Sequence, residues 1–255
     1  MLVRTWNVFH GNSVPPGRES FLEDAVRMAT EDGPDVVCLQ ELPAWALGRL
    51  DDWSGMAAVG TVARRPSLGP VPVTAEIGRV VTEWHPGLFR SAFAGQANAI
   101  LVAPSLRVLA ANELVLNPAE FRRRLQGLNL VERLAWARER RVCQAVRVQL
   151  PDGGTLLVGN LHATRYRRLA ETELVRAAAF ADGLAGPQEP IVLAGDFNVF
   201  ALALDDWGFH GGGHRVDHVL ARGLSVSRVA AWPIERRRRH GVLLSDHAPV
   251  DATVS

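Results

Sequence analysis

Six apolar runs of this sequence end in, or are interrupted by, side chains able to bind a divalent metal ion or a phosphate. Asn7 stands in TWNVFHGN, Glu41 closes VVCLQE, and His162 lies in VGNLHAT. Asp196 and Asn198 follow in LAGDFN, Asp217 breaks HRVDHVL, and Asp246 with His247 interrupts LLSDHAP. Burying an unpaired carboxylate is costly, so these groups belong at turns facing water or in a polar site. On a strand, the two-residue spacing of Asp196 and Asn198 turns both side chains the same way. Taken singly, each group has an ordinary reading: Asn7 as a turn former, Glu41 as a solvated strand end, His162 as a satisfied buried histidine, and the Asp196–Asn198 pair as an Asx turn. Taken together, six runs that finish along one rim of a rigid sheet would converge on one site.

The elements that must position these groups alternate along the chain. MLVRTWNVF reads as a strand, and ESFLEDAVRMATED carries Phe21, Leu22, Ala25, Val26 and Ala29 at helical spacing before Gly33-Pro34 stops it. DVVCLQE reads as a buried strand, so a layered α/β arrangement is expected. Residues from about 55 to 90 read as short strands and loops around TAEIGRVVTEW. NAILVA and SLRVLAANELVL read as a pair of strands joined at Pro104. NPAEFRRRLQGL offers Asn117 as a cap and Pro118 in the first turn of a helix, and its arginine-rich body equally suits a surface loop. ERRVCQAVRVQL and GTLLVGNLHAT flank Pro151-Asp152-Gly153-Gly154, a hairpin signal. LAETELVRAAAFADGLAG reads as an amphipathic helix; PIVLAGDFN, HRVDHVLARGL and VLLSDHAPVDATV read as strands. With no linker, fixed repeat or low-complexity tract, one domain over residues 1–255 is expected.

Composition narrows the classes. A hydrophobic content of 47% over 255 residues allows a sizeable core. The net charge of +1 gives no global field for polyanions, although the basic residues, all arginine, are clustered. Cys38 and Cys143 lie inside apolar runs and are expected to be free thiols in a reducing compartment. The opening MLVRTWNV has no secretory pattern, and no uninterrupted apolar run of about 18 residues occurs. A cytoplasmic monomer without a membrane span is expected.

In their order and separations, TWNV, LQE, NLHAT, GDFNV, RVDHVL and SDHAPV resemble the endonuclease/exonuclease/phosphatase superfamily, from residue 3 to about residue 250. DNase I, exonuclease III-type repair endonucleases, neutral sphingomyelinases and inositol polyphosphate 5-phosphatases share that fold. The resemblance implies a four-layer α/β sandwich, DNase I-like, with two mixed β-sheets packed face to face and helices outside. It also implies a Mg²⁺-dependent hydrolase of phosphodiester bonds, a reaction that needs charge neutralisation, an activated water and help for the leaving oxygen. Glu41 offers a hard oxygen suited to Mg²⁺, with Mn²⁺ able to substitute, and no soft ligand set competes for zinc. Asn7 would orient Glu41 or touch the metal through its carbonyl oxygen, and Asp246 would be the remaining metal or water ligand. By the same resemblance Asp196 positions or deprotonates the attacking water, and Asn198 donates to a phosphate oxygen. His247 lies against the phosphate, oriented by Asp217, and His162 is either the acid for the leaving oxygen or a stabiliser of developing charge.

The sequence departs from the superfamily in places. Val8-Phe9 follow Asn7 where repair endonucleases carry a further Asp. Near GQANAILVA the Glu that partners the second histidine in DNase I-like members is missing, and Asn98 is the nearest polar residue. VFALALDDW follows the GDFN, without the Arg-Tyr pattern of inositol phosphatases. Arg236, Arg237, Arg238 and Arg239 precede SDH, while Arg165, Arg167 and Arg168 follow His162, and Arg122 to Arg124 are a further cluster. Guanidinium groups around a cleft suit nucleic acid or another phosphodiester substrate. Trp45, Trp53, Trp84, Trp207 and Tyr166 are available to stack on bases. A nuclease is therefore the first reading. A phosphatase or phosphodiesterase of a small or lipid-headgroup phosphate is the alternative. An inactive binding module is disfavoured, because all eight motif residues stand in place.

Overall fold

Period-two alternation of side chains sorts the strands into two six-stranded mixed sheets. This computed structural model describes the chain apart from residues 18, 66, 69–70, 73, 75, 78, 81–94, 125–126 and 201–203. The first sheet runs in the order Val226–Ala231, Val250–Val254, Leu2–Asn7, Val36–Leu42, Gln96–Val102, Ala57–Arg64. The second runs His210–His214, Asp217–Arg222, Ile191–Asp196, Thr155–His162, Val142–Gln149, Arg107–Val115. Leu2–Asn7 lies parallel to Val36–Leu42, and Thr155–His162 parallel to Ile191–Asp196.

The sheets meet face to face. Val3, Val36, Cys38 and Ile100 of the first pack against Val146, Val158, Val192 and Val219 of the second. On the outer face of the first sheet, Trp6, Leu39 and Leu101 are covered by Leu22, Val26 and Ala29 of the Leu22–Thr30 helix. On the outer face of the second, Leu157, Leu161 and Leu193 are covered by Ala170, Leu174, Ala177 and Ala181 of the Arg167–Leu184 helix. The order helix, sheet, sheet, helix is the four-layer α/β sandwich expected from the sequence. Both cysteines are buried and free. Among the described residues no helix is long and apolar enough to cross a membrane.

Several elements differ from expectation. Gln96–Val102 and Arg107–Val115 both form, but in different sheets, so the chain crosses the sandwich between them. The final strand is broken: Val242–Leu244 joins a small three-stranded sheet, and Val250–Val254 joins the first sheet. Ser245, at φ 57°, turns the chain between them. Asn117, expected to cap the Ala119–Arg124 helix, bonds instead to the segment around residues 136–141. Its buried amide donates to the carbonyls of Trp136 and Glu139 and its oxygen accepts from Arg141 N–H. Elements not read include the Leu130–Arg138 and Leu50–Ser54 helices and the His210–His214 and Val226–Ala231 strands. Of residues 55–90, Ala57–Arg64 is a strand and Ser67–Leu68 pairs with Val71–Pro72. TAEIGRVVTEW, including Trp84, falls largely outside the described residues.

Candidate active site

The same alternation that fills the core builds the site. Val3 faces the opposite sheet, so Thr5 and Asn7 do as well; from Val158 the inward face runs through Asn160 to His162. Val192 leads to Asp196, and Val219 leads back to Asp217. All four strands end at one rim. There His162 is paired in register with Asp196, and Asp196 with Asp217. Gly195 is required for this approach, since a Cβ there would lie 2.0 Å from the Leu161 carbonyl oxygen. Glu41 has the outward parity, yet its carboxylate reaches the inner face. A register shift between Leu39 and Leu42 and a left-handed φ of 54° at Glu41 turn it inward.

Asp196 Oδ2 is the hub. Asn7 Nδ2 donates to it at 3.1 Å, His162 Nε2 stands 3.5 Å away and His247 Nε2 3.8 Å away. Asp217 accepts at His247 Nδ1, 2.8 Å from Oδ2, which fixes the ring and leaves Nε2 facing Asp196. Ser245 holds this loop: its hydroxyl donates to the Asn7 carbonyl and accepts from His247 N–H. The His247 carbonyl in turn accepts from Trp6 Nε1 and Arg237 Nη1. Asn198, at φ 52°, closes an Asx turn in which its N–H donates to Asp196 Oδ1. Its amide donates to the Ala163 carbonyl at 2.8 Å, which ties the Asp196 loop to the residue after His162.

The two imidazoles are pushed in opposite directions. Burial drives His162 well below the ordinary histidine range, helped by the positive charge of Arg141. Burial also opposes the charge of His247, but the hydrogen bond and charge of Asp217 outweigh it and hold His247 up to about 9. Between them Asp196 is raised, by burial first and by the charge of Asp217 second. Such a separation equips one imidazole to be neutral while the other is charged.

Two groups near the rim were not singled out in the sequence. Gln96 Nε2 lies 3.0 Å from His162 Nδ1, the position expected for Asn98. Asn98 instead sits one step deeper on the same face and donates to the Val142 carbonyl. The parity of Gln96 with Ile100 was the signal available for it. His10 Nε2 lies 3.6 Å from Glu41 Oε2. No periodic pattern marks it, because Phe9, His10 and Gly11 all have positive φ.

Glu41 also faces His162 Nε2, 3.7 Å from Oε1, and both of its imidazole distances are longer than a hydrogen bond. A half-buried carboxylate held beside Asn7 and Asp196 but short of hydrogen-bonding its neighbours fits a divalent cation with hard oxygen ligands. Asp196, Asp217 and His247 form a second set of ligand atoms, all within 4.8 Å of one another. In that set the Asp217 carboxylate and His247 Nδ1 already satisfy each other, so Glu41 is the better anchor. Asn7 Oδ1 accepts from Phe9 N–H, which turns the carbonyl away from a purely ligating role. Asp246 is exposed at the mouth of the site.

Beside the hub lies a cavity of about 300 Å³ lined by Asn198, Phe200, His214, Arg215, Arg237 and His247, among others. The arginine run does not ring it. Arg237 is buried in the cavity wall, whereas Arg236 pairs with Asp32 at 2.7 Å and stacks on Trp232. Arg239 pairs with Asp24, and Arg238 donates to the Gly241 carbonyl. Arg165 stacks on Tyr166 in the exposed loop beyond His162. Of the four arginines that precede SDH, Arg236 and Arg239 thus serve the far side of the first sheet, Arg238 its own turn, and Arg237 alone the cavity.

Comparison with known proteins agrees with the fold. A family model described as the Endonuclease/Exonuclease/phosphatase family matches residues 5–247. No curated protein matches the sequence. Among solved structures, an endonuclease/exonuclease/phosphatase family protein from Bacteroides thetaiotaomicron is similar with a TM-score of 0.68 at 16% identity, covering 100% of this chain and 94% of that one. A mannosyl-6-phosphatase from Bacteroides thetaiotaomicron VPI-5482 has a TM-score of 0.66 at 14% identity, covering 100% and 99%. A humanized TDP2 from D. rerio has a TM-score of 0.62 at 15% identity, covering 100% and 98%. At these identities the likeness speaks for the fold alone, and the family model speaks for membership over residues 5–247. The chain belongs to the endonuclease/exonuclease/phosphatase family, whose members hydrolyse phosphate esters and generally use divalent metal ions.

Proposed function

We propose that the protein is a metal-dependent phosphodiester hydrolase, with nucleic acid as its first substrate class. The observation that carries the reading is the convergence of Asn7, His162 and His247 on one oxygen of Asp196. In this reading Asp196 positions and deprotonates the attacking water, with Asn7 fixing its carboxylate. His247, steadied by Asp217, meets the phosphate with Nε2, and His162 faces the leaving oxygen. Glu41 would hold a Mg²⁺ or Mn²⁺ ion, which would neutralise phosphate charge and stabilise the leaving oxygen, and Asp246 at the mouth of the site would be a further ligand to the metal or its water. The cavity next to His247 supports a nucleic-acid substrate, because Arg215 and Arg237 suit a phosphate chain and exposed Phe200 suits a base. A second reading, a phosphodiesterase of a lipid headgroup, is favoured by the aliphatic face described in the next subsection.

The test is hydrolysis of bis-p-nitrophenyl phosphate, single-stranded DNA, duplex DNA and RNA with Mg²⁺, Mn²⁺ or EDTA. Cleavage is expected only with metal, and Asp196→Ala should lower kcat by about 100- to 10,000-fold while the protein stays folded. Glu41→Ala should remove the response to metal. Release of inorganic phosphate from monoesters, with every diester left intact, would replace this reading with a phosphatase.

A further inference from the structure

The Leu130–Arg138 helix is apolar on two opposite sides, and only one of them is used. Trp136 points inward, is 1% exposed, and donates to the buried carboxylate of Glu173. On the opposite side Leu130, Val131 and Leu134 are 71%, 66% and 48% exposed. At 100° per residue these three fall within about 100° of the helical wheel, centred away from Trp136. Single exposed aliphatics are ordinary on a protein surface; three on one helical face form an unpartnered stripe.

Two further observations say what covers it. Residues 119–141 hold seven arginines against three glutamates, in a chain whose net charge is +1; of the seven, Arg141 is buried against Glu139 and Arg140 pairs with Glu113. Arg133 on the same helix and Arg123 on the preceding one are exposed and flank the stripe on the side toward Trp136, where both line one pocket with it. The covering surface is therefore both anionic and able to accept aliphatic side chains. Nucleic acid meets the first requirement but offers stacking faces, which Leu and Val do not exploit. The interface of an anionic bilayer meets both, with aliphatics in the acyl boundary and guanidinium groups among the phosphates.

Position supports the same occupant. Val115 and Val142 are paired in register, and Cys143 pairs with Leu161, so residues 116–141 leave and rejoin the second sheet at the end that carries His162. The helix is also tied to that end through Glu173, whose other oxygen accepts from Thr164 N–H. We propose that the outward face of the Leu130–Arg138 helix docks the protein on an anionic lipid bilayer, bringing the rim of the site to the membrane surface. This goes beyond the hydrolase reading, and it is tested by binding alone, so its failure and the failure of that reading are separate results.

The experiment is co-sedimentation of the full chain with vesicles of phosphatidylcholine, alone or mixed with phosphatidylglycerol, without metal. Binding to the mixed vesicles is expected, weakening as salt rises. Leu130→Ser/Val131→Ser/Leu134→Ser, which keeps every charge, should weaken it by at least about tenfold. Arg123→Gln/Arg133→Gln should weaken it comparably and abolish the preference for phosphatidylglycerol. Should the triple variant melt early, Val131→Asp alone carries the same expectation. The proposal fails if the wild type sediments with neither vesicle, or if the serine variant binds as tightly as the wild type. It also fails if a single-stranded oligonucleotide binds this face with a dependence on Arg123 and Arg133 but none on the aliphatics. A self-associated protein that the serine variant converts to monomer would overturn it in favour of a second copy of the chain.

Discussion

Gln96 shows how one side chain settles the state of another. A carboxamide nitrogen only donates, so the contact from Gln96 Nε2 makes His162 Nδ1 an acceptor and leaves the ring proton on Nε2, facing Asp196 and Glu41. A carboxylate in the place of Gln96 would demand the other tautomer or a charged ring. Gln96→Leu, of similar size without the donor, should lower kcat by about 10- to 100-fold, and Gln96→Glu should not restore it. Rates with a small chromogenic phosphodiester measure this, and full activity in Gln96→Leu would remove the orienting role. At this scale the sequence was legible wherever parity held: Asn7, His162, Asp196 and Asp217 each continue the inward face of their own strand. Glu41 and His10 escape that logic because backbone irregularities, rather than alternation, aim them.

At the scale of elements, the loop after His162 is held by a strap from outside the sheet. Glu173 accepts from Trp136 Nε1 with one oxygen and from Thr164 N–H with the other, so the helix on the outer face of the second sheet fixes both the Leu130–Arg138 helix and the rim. Burial raises the Glu173 carboxyl to about 7, against an ordinary 4.5. The sign follows: a carboxyl that is harder to ionise when folded stabilises the fold fully below its unfolded value and loses that contribution as pH rises through about 7. Glu173→Gln keeps one acceptor and loses the other, at a cost of about 1–3 kcal/mol. Urea unfolding of both proteins at about pH 5, near the foot of this window, and at about pH 8, above it, should show the wild-type advantage shrinking at the higher pH. An advantage that grows would mean that the two N–H donors outweigh burial. The strap was not legible in the sequence, since Trp136 and the Leu130–Leu134 stripe point to opposite sides and leave no single amphipathic pattern. The one local signal was Asn129 with Glu132, which form a capping box.

For the whole molecule, the question is how two sheets that meet through aliphatic side chains keep the register that the site requires. Dispersion and burial are indifferent to small slips, whereas hydrogen bonds between the sheets are not. Asn160, wholly buried, donates to the carbonyls of Leu39 and Ala99 in the facing sheet, at 3.0 and 2.9 Å. Its oxygen accepts from Gln40 Nε2 at 2.8 Å, and Gln40 also donates to Thr5. Leu39 and Ala99 are the last pair before the register shift that swings Glu41 inward, so Asn160 supplies donors where the ladder is interrupted. The polar residue inside VGNLHAT could be read from the sequence, but not its partners, which lie 121 and 61 positions away. Asn160→Leu fills the space and strands both carbonyls, each at about 1–3 kcal/mol, so unfolding free energy should fall by about 3 kcal/mol. An exposed change such as Arg167→Ala should stay within about 0.5 kcal/mol. Because the bulge rests on Asn160, the folded fraction of Asn160→Leu should also need more metal for half-maximal activity, as a displaced Glu41 would require. Full stability with weakened metal response, or the reverse, would separate the two roles assigned to this one amide.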